Sequence, residues 1–481
     1  MQVPATHAIA KNTLYQALGK ALGIGFGLLA FVIMARYLGP EKFGAYSTAV
    51  TFVSVFGTLA DLGLPVVHLR LLSLRQKDWI KRATNLHTLR LLSTVVILSV
   101  GLGVARLFPY GPEVQRGILI VSVGFLSVSF SQYLLAIFQE RLATGLYALA
   151  EVLGRLVMFA VVLFAARLDL GLPIVFWATT LGSAAAFLVT IIFASRFTRL
   201  RLGGEVRLWP GLLRQALALM FVSIFSLIYF KIDTLLLSVL KDLTAVGIYS
   251  AAYKFMDVFI TFPALFTALV LPFFARAAAE TQRERLLYLF QRAFRAIMLA
   301  ALPLAVVTFF EADRLIAFTS GSEFIASGIV LRILSLAVVG LFLGNLGTTI
   351  LIALGRANYV AWLFGGAAFI GVALYYVTIQ EFSYLGAAWS TVAIESTIAV
   401  ASLGFVVTRV RRLPSGSHFW RTLIAAAGLG AALYFGTALP LLVNLALGGA
   451  VYLLLLFALQ AITPDDIRSV LGLTAKKRVR A

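Results

Sequence analysis

The stretch that decides the fold runs from Arg36 to Pro65 and reads R-Y-L-G-P-E-K-F-G-A-Y-S-T-A-V-T-F-V-S-V-F-G-T-L-A-D-L-G-L-P. A short charged turn, Gly39-Pro40-Glu41-Lys42, separates two long apolar runs, a pattern that predicts a tight hairpin between two membrane helices. One carboxylate, Asp61, lies inside the second run. Because an acid facing lipid costs at least about 2.5–3.5 kcal/mol, we expect Asp61 to face the protein interior or a partner.

The composition of the whole chain supports this interpretation. The chain has 481 residues, of which 61% are hydrophobic and 12% charged, with a mean hydropathy of +0.97. Soluble domains are about 45–50% apolar and about 25% charged. The chain is therefore predicted to be a polytopic helical membrane protein. It contains no cysteine, which excludes disulfides, thiolate metal sites and cysteine nucleophiles.

The apolar blocks predict an all-α protein of fourteen transmembrane helices, each long enough to cross a hydrocarbon core of about 30 Å. The predicted spans are 13–36, 44–68, 87–107, 116–139, 144–166, 172–195, 213–239, 245–274, 287–310, 324–354, 358–380, 384–408, 419–438 and 441–461.

The net charge of +20 lies mainly between these blocks. Most of the Lys and Arg residues fall in the even-numbered loops, and the chain ends in a basic tail, Lys476–Arg480. Because cytoplasmic loops carry an excess of positive charge, both termini are predicted to be cytoplasmic. Basic residues spread over many loops form no continuous patch, so nucleic acid is not an expected partner.

A short internal repeat suggests how the helices are grouped. The segment Phe43–Ala49 (F-G-A-Y-S-T-A) is echoed by Val246–Ala252 (V-G-I-Y-S-A-A) at an offset of 203 residues, and both follow a short turn. Spans 1–6 and 7–12 then match in number and topology, as in transporters built from two parallel halves. We predict two pseudo-symmetric six-helix lobes, residues 1–205 and 206–416, followed by residues 417–481 with two appended helices and the basic tail.

Several motifs, taken in order, resemble the polysaccharide-biosynthesis flippases, the O-antigen-type branch of the multidrug/oligosaccharidyl-lipid/polysaccharide exporter superfamily. The matching segments are Ala35–Gly44, Ala60–Leu64, Lys231–Asp233, Val246–Lys254, Val330–Ser335, Ile352–Arg356 and Leu385–Ala388 before Glu395. The resemblance covers spans 1–12. It implies a two-lobed, V-shaped bundle that moves undecaprenyl-pyrophosphate-linked oligosaccharides from the cytoplasmic to the outer leaflet. It does not imply which sugar is carried.

Charged residues inside the spans are the candidate site. A transporter of a lipid pyrophosphate needs a wet, cationic cavity, because Lys and Arg can replace the water around the phosphates. Lys231, Lys254 and Arg332 each lie about 12 Å below the predicted outer end of their span, and with Lys20 they form the predicted pyrophosphate site. The acids predicted to balance charge or to couple transport to an ion gradient are Asp61, Asp233, Asp257 and Glu395.

Simpler explanations apply to some of these residues. Lys254 and Asp257 are spaced i, i+3, which allows them to neutralise each other. Glu151 and Arg155 are spaced i, i+4 and are expected to form a structural pair. Lys20 and Asp61 are expected to pair, because they lie at similar depths in spans 1 and 2.

Enzyme chemistry finds little support in the sequence. The four histidines have no metal-ligand spacing, and no phosphate-binding G-x-x-x-x-G-K-[ST] loop occurs. We expect no enzyme activity and no cofactor, with coupling to Na⁺ or H⁺ left open. The alternatives are a lipid II-type flippase, a multidrug or cation antiporter, and, more remotely, a membrane glycan polymerase or ligase.

The resemblance also gives expected surroundings and partners. The expected location is the cytoplasmic (inner) membrane of a bacterium or archaeon, with the protein acting as a monomer among membrane lipids. Besides the lipid-linked O-antigen or exopolysaccharide unit, the candidate partners are a polysaccharide polymerase and glycosyltransferases.

Overall fold

The computed structural model describes residues 3–74, 78–280, 282–410 and 416–462, so the predicted basic tail lies outside the described residues. The described residues form α-helices and two 3₁₀ turns, with no strand among them. The helices are α1 (Val3–Asp61), α2 (Leu64–Leu74), α3 (Trp79–Ala105), α4 (Pro112–Glu140), α5 (Thr144–Arg167), α6 (Leu172–Ala194), α7 (Trp209–Leu240), α8 (Leu243–Phe259), α9 (Thr261–Ala279), α10 (Arg283–Phe310), α11 (Ala312–Thr319), α12 (Ala326–Ala353), α13 (Ala357–Val410), α14 (Gly416–Phe435) and α15 (Leu441–Ala458).

This all-α architecture confirms the predicted fold class, and the fourteen predicted spans fall on these helices. Within the described residues, ten helices are long and apolar enough to cross a membrane. Two helices, α1 with 59 residues and α13 with 54, are each long enough for two crossings, since a helix rises about 1.5 Å per residue. The protein is therefore a multi-pass membrane protein.

Both long helices contain a sharp turn. In α1 the turn is at Gly39, whose φ of 69° lies in the left-handed region that favours glycine. The rings of Phe31 and Phe43, on either side of Gly39, meet edge to face at 5.7 Å, so the two halves of α1 fold back on each other. This contact confirms the predicted hairpin. In α13 the turn is at Ser383, where Thr378 Oγ1 donates a hydrogen bond of 3.2 Å to the Gly386 carbonyl.

The chain divides into two compact units. Unit 1 contains Met1–Ala251, Thr319–Phe324 and Ala368–Ala387, and unit 2 contains the remaining residues. These units do not coincide with the predicted lobes, whose boundaries at residues 205 and 416 stay a prediction.

Each unit has its own apolar core. In unit 1, buried side chains of α2, α3, α4 and α6, including Leu64, Leu86 and Phe138, pack together. In unit 2, α10 packs against α14 and α15 through Met298, Leu429 and Tyr452.

The two copies of the repeat meet inside unit 1. A Cβ atom added at Gly44 would overlap the Leu243 carbonyl oxygen, and one added at Gly247 would overlap the Pro40 carbonyl oxygen. Residues 40 and 44 correspond to residues 243 and 247 at the repeat offset of 203, so the contact is reciprocal. Only glycine at both positions allows the two backbones to come this close.

Other glycines in the helices differ in how closely their neighbours approach. Gly340 lies against the backbone of Glu395, where an added Cβ would be 3.0 Å from the Glu395 carbonyl carbon. At Gly23 and Gly25, by contrast, an added Cβ meets nothing within 4 Å. Gly25 therefore provides a control for Gly44.

We predict that Gly44→Ala lowers the stability of the purified protein, because a backbone carbonyl cannot move aside as a flexible side chain can. Overpacking of this kind costs about 1–3 kcal/mol. The midpoint of thermal unfolding in detergent measures the effect. Gly25→Ala should leave the midpoint unchanged or raise it slightly, because alanine favours the helix. Equal unfolding midpoints for Gly44→Ala and Gly25→Ala would contradict the close backbone contact at Gly44.

Candidate functional site: charged residues within the helices

A polar cavity of about 260 Å³ lies inside unit 1, between α1, α4, α5 and α6. Its lining includes Glu151 and Arg155 of α5, together with the amide of Gln132. The hydroxyl-bearing residues in the lining are Ser131, Tyr147, Thr179, Ser183 and Thr190. A carboxylate and a guanidinium therefore line the same cavity, surrounded by groups that donate and accept hydrogen bonds.

The two charged side chains in this cavity, Glu151 and Arg155, do not form a direct salt bridge with each other. Among the described residues, Glu151 and Arg155 have no ion pair within 4 Å, so the predicted structural pair does not form as a direct salt bridge. Both side chains are exposed. The Glu151 carboxylate interacts electrostatically with Arg155 and with Lys20, and it contacts the Tyr147 hydroxyl. Lys20 thus belongs with Glu151 in unit 1.

One further polar atom lines this cavity without a partner. The Ser131 hydroxyl is buried and makes no hydrogen bond with any described residue. A buried hydroxyl without a partner is costly, so Ser131 adds an unsatisfied polar group to the walls of the cavity.

Asp61 is paired with Arg90, a residue that sequence reasoning did not select. The Arg90 side chain is fully buried and forms a salt bridge to the Asp61 carboxylate. Its guanidinium also donates to the Ala60 carbonyl at 2.9 Å and to the Ser129 hydroxyl at 2.6 Å. The expected Lys20–Asp61 pair is therefore wrong. Arg90 falls inside the predicted span 87–107.

Asp233 is also held by neighbours within unit 1. Its side chain is 1% exposed, and it accepts hydrogen bonds from the Tyr249 hydroxyl at 2.7 Å and from the Thr234 backbone N–H at 2.6 Å. Tyr249 belongs to the second copy of the repeat. Its counterpart Tyr46 instead shares a hydrogen bond of 2.9 Å with Thr179. The equivalent tyrosines of the two repeat copies therefore make different hydrogen bonds.

Lys231 lies two residues before Asp233 in α7. Its side chain is half-buried, and it interacts electrostatically with the Asp233 carboxylate. The two residues do not share a face of the helix, so this interaction is a long-range one.

The remaining candidates lie in unit 2. Lys254 Nζ lies 3.7 Å from Asp257 Oδ2, so the two residues form an ion pair, as the i, i+3 spacing allows. Arg332 forms a salt bridge of 2.6 Å to Asp313, and its Nε donates to the Phe309 carbonyl at 3.2 Å. Asp313 was missed because it lies in the separate short helix α11, 19 residues before Arg332 in the sequence.

Glu395 is buried in unit 2, where its backbone lies against Gly340. The structure thus places Lys20, Asp61, Lys231 and Asp233 in unit 1, and Lys254, Asp257, Arg332 and Glu395 in unit 2. The ring of Lys231, Lys254 and Arg332 around one anion stays a prediction. Among the described residues, no group of three His, Cys, Asp or Glu side chains could hold a metal ion.

Comparison with known protein families assigns the chain to a family. A sequence model of the family described as polysaccharide biosynthesis protein matches residues 9–278, more than half of the chain. The chain belongs to this family. No curated protein sequence matches the chain significantly.

Solved structures show which known fold the chain shares. The lipid II flippase MurJ in an inward closed conformation matches with a TM-score of 0.77 at 14% identity, over 92% of this chain and 98% of that chain. An inward-facing MATE multidrug resistance transporter of the MOP superfamily matches with a TM-score of 0.67 at 16% identity, over 82% of this chain and 98% of that chain. The chain thus has the same fold as these two proteins.

We predict that the Arg90–Asp61 pair stabilises unit 1. Arg90→Met leaves the Asp61 carboxylate without its cation, and breaking a buried pair in this way costs about 3–5 kcal/mol. Adding Asp61→Asn to Arg90→Met removes the uncompensated charge and should recover part of the loss. Thermal unfolding of the single and double variants measures both effects.

Two results would contradict this role. One is an Arg90→Met variant as stable as the wild type, and the other is a double variant that loses the full sum of the two single effects, because independent sites add.

Proposed function

We propose that this protein is a flippase that moves undecaprenyl-pyrophosphate-linked oligosaccharide units, of the O-antigen or exopolysaccharide type, across the cytoplasmic membrane. The units would pass from the cytoplasmic to the outer leaflet by alternating access, with no chemical change to the substrate. Both termini would be cytoplasmic, as the charge distribution predicts. Membership of the polysaccharide biosynthesis family and the MurJ-like fold support this proposal.

The observation that carries the proposal is the polar cavity of unit 1. A glycan presents many hydroxyl groups, each of which both donates and accepts hydrogen bonds. The cavity offers a carboxylate in Glu151, a guanidinium in Arg155, an amide in Gln132 and several hydroxyls. Charged side chains at membrane depth are costly, so their exposure in a cavity supports a role with a hydrophilic cargo. These residues form a cavity with both an acid and a base. A cation antiporter would be expected to have a purely acidic cavity.

The pyrophosphate would be held by Arg332, Lys254, Lys231 and Lys20. Arg332 and Lys254 already contact carboxylates, namely Asp313 and Asp257. A pyrophosphate would replace these carboxylates, because it offers the same charge-assisted hydrogen bonds with more negative charge.

The four acids would have two kinds of role. Asp61 and Asp257 balance Arg90 and Lys254, which they contact directly. Asp233 and Glu395 are the buried acids that would bind Na⁺ or H⁺ if transport is coupled to an ion gradient. The proposal needs no other cofactor. The protein would act as a monomer, with glycosyltransferases and a polysaccharide polymerase as its partners in synthesis.

A lipid II-type flippase is a second candidate, favoured by the fold similarity to MurJ. The two substrates share the undecaprenyl pyrophosphate and differ in the attached sugars. Competition between lipid II and an undecaprenyl-pyrophosphate-linked oligosaccharide for transport into vesicles distinguishes them.

We predict that Glu151→Gln and Arg155→Gln each reduce glycolipid translocation in reconstituted vesicles by about tenfold or more. Each removes a charged hydrogen-bond partner, which contributes about 1.5–3 kcal/mol. Arg167→Gln is the matched control, because Arg167 is an exposed residue at the end of the same helix, outside the cavity. Wild-type rates in both cavity variants would exclude a role of this cavity in glycan transport.

A second pair of variants separates two roles of Arg332. If Arg332 binds the pyrophosphate, Arg332→Ala abolishes translocation while the protein stays folded, whereas Asp313→Asn retains translocation because the cation remains. Transport in vesicles and thermal unfolding are measured for both variants. Full activity of Arg332→Ala, or equal losses of transport and stability in both variants, would show that the salt bridge is only structural.

A further inference from the structure

A second cavity, of about 290 Å³, lies where α2, α3 and α7 come together in unit 1. It is lined by Arg70 of α2, Arg82 of α3 and Gln215 of α7, with Leu71 and Leu74 beside them. The three polar side chains come from three helices, so the cavity is formed by tertiary packing. All three can donate hydrogen bonds, and the lining contains no carboxylate.

The two arginines have no counterion among the described residues. Neither guanidinium forms a hydrogen bond or an ion pair there. Two acids act on Lys81, the residue before Arg82, instead: Glu205 forms a salt bridge of 2.7 Å with Lys81, and Asp78 also interacts electrostatically with Lys81. Two cations that share one cavity repel each other, and a bound anion relieves that repulsion.

Packing and a hydrogen bond hold two of the residues that line the cavity in place. Leu71 is 6% exposed and belongs to the core of unit 1, which fixes the end of α2 that carries Arg70. The Gln215 amide nitrogen donates to the Gly211 carbonyl at 3.2 Å, which orients the side chain. Leu74, by contrast, is 54% exposed, so an apolar surface lies directly beside the cationic lining.

We propose that this cavity binds the phosphate groups of a membrane lipid. The planar guanidinium of arginine suits bidentate contacts to phosphate oxygens, and basic pockets between membrane helices bind lipid headgroups. Ligand sites for small molecules enclose about 300–1,000 Å³, so this cavity takes a headgroup and leaves the glycan and the lipid chain outside. Leu74 would contact the start of that chain.

This proposal rests on the proposed function in one respect. If the protein is a flippase, the phosphates are those of the substrate's pyrophosphate, and the cavity is a docking site used before the substrate enters the path across the membrane. The same chemistry is presented by anionic phospholipids such as phosphatidylglycerol. The experiment must therefore separate these two sources.

The test uses the full-length protein in phosphatidylcholine nanodiscs, titrated with farnesyl diphosphate, farnesyl monophosphate and farnesol as probes. Farnesyl diphosphate should bind most tightly and farnesol least. Arg70→Gln and Arg82→Gln should each weaken diphosphate binding by about tenfold, because each loses a charge-assisted contact. Arg207→Gln removes an exposed charge outside the cavity and should leave binding unchanged.

Three outcomes would overturn the proposal: wild-type binding in both cavity variants, equal loss in Arg207→Gln, and farnesol binding as tightly as the diphosphate. Thermal unfolding of each variant confirms that it is folded. Arg82→Lys should recover part of the affinity, because a point charge retains attraction but not the bidentate contact.

Replacing part of the phosphatidylcholine with phosphatidylglycerol identifies the source. Competition that depends on Arg70 and Arg82 supports a phospholipid occupant, and undiminished diphosphate binding supports the substrate. Failure of the proposed function would be seen separately, as wild-type protein that binds farnesyl diphosphate but does not translocate the glycolipid.

Discussion

The reciprocal contact between Gly44 and Gly247 is the constraint on which the rest of unit 1 depends. Each glycine allows a carbonyl oxygen of the other repeat copy to approach its Cα, and each lies just after a helix-initiating turn. Because a Cβ at either position would overlap backbone, this contact fixes how α1 and α8 meet. The neighbouring Tyr249 then reaches Asp233, and Tyr46 reaches Thr179. The same local backbone thus supports different polar contacts in the two copies.

Several charged side chains of the described residues fall into two groups. Arg90, Asp61 and Asp233 are fixed by short hydrogen bonds and salt bridges, and they stabilise the helices that carry them. Glu151 and Arg155 line the polar cavity, while Arg70 and Arg82 line a cationic one, without direct counterions. Glu151 and Arg155 fall inside the predicted span 144–166, where exposed charges cost free energy, so folding alone does not explain them. These two residues therefore support binding of a polar cargo.

The fold could be predicted from the sequence because membrane thickness sets the helix length and apolar blocks mark each helix. The Gly39 hairpin and the repeat at Gly44 and Gly247 were visible as short motifs. The partners of the charges were not, because they depend on packing between distant segments. Asp61 needed a cation, but nothing in the sequence connects it with Arg90, and Arg332 showed no acid within one helical turn although Asp313 reaches it from α11. Similarly, no local pattern places Arg70, Arg82 and Gln215 around one cavity.

We propose that the protein moves a lipid-linked glycan between the leaflets of the membrane. The most direct measurement is the identity and leaflet of the lipid-linked sugars that accumulate when the gene is deleted, with the wild-type gene restored as control. If the protein is this flippase, a complete undecaprenyl-pyrophosphate-linked oligosaccharide accumulates on the cytoplasmic leaflet. Normal export of every lipid-linked glycan in the deletion strain, or accumulation on the outer leaflet, would contradict it.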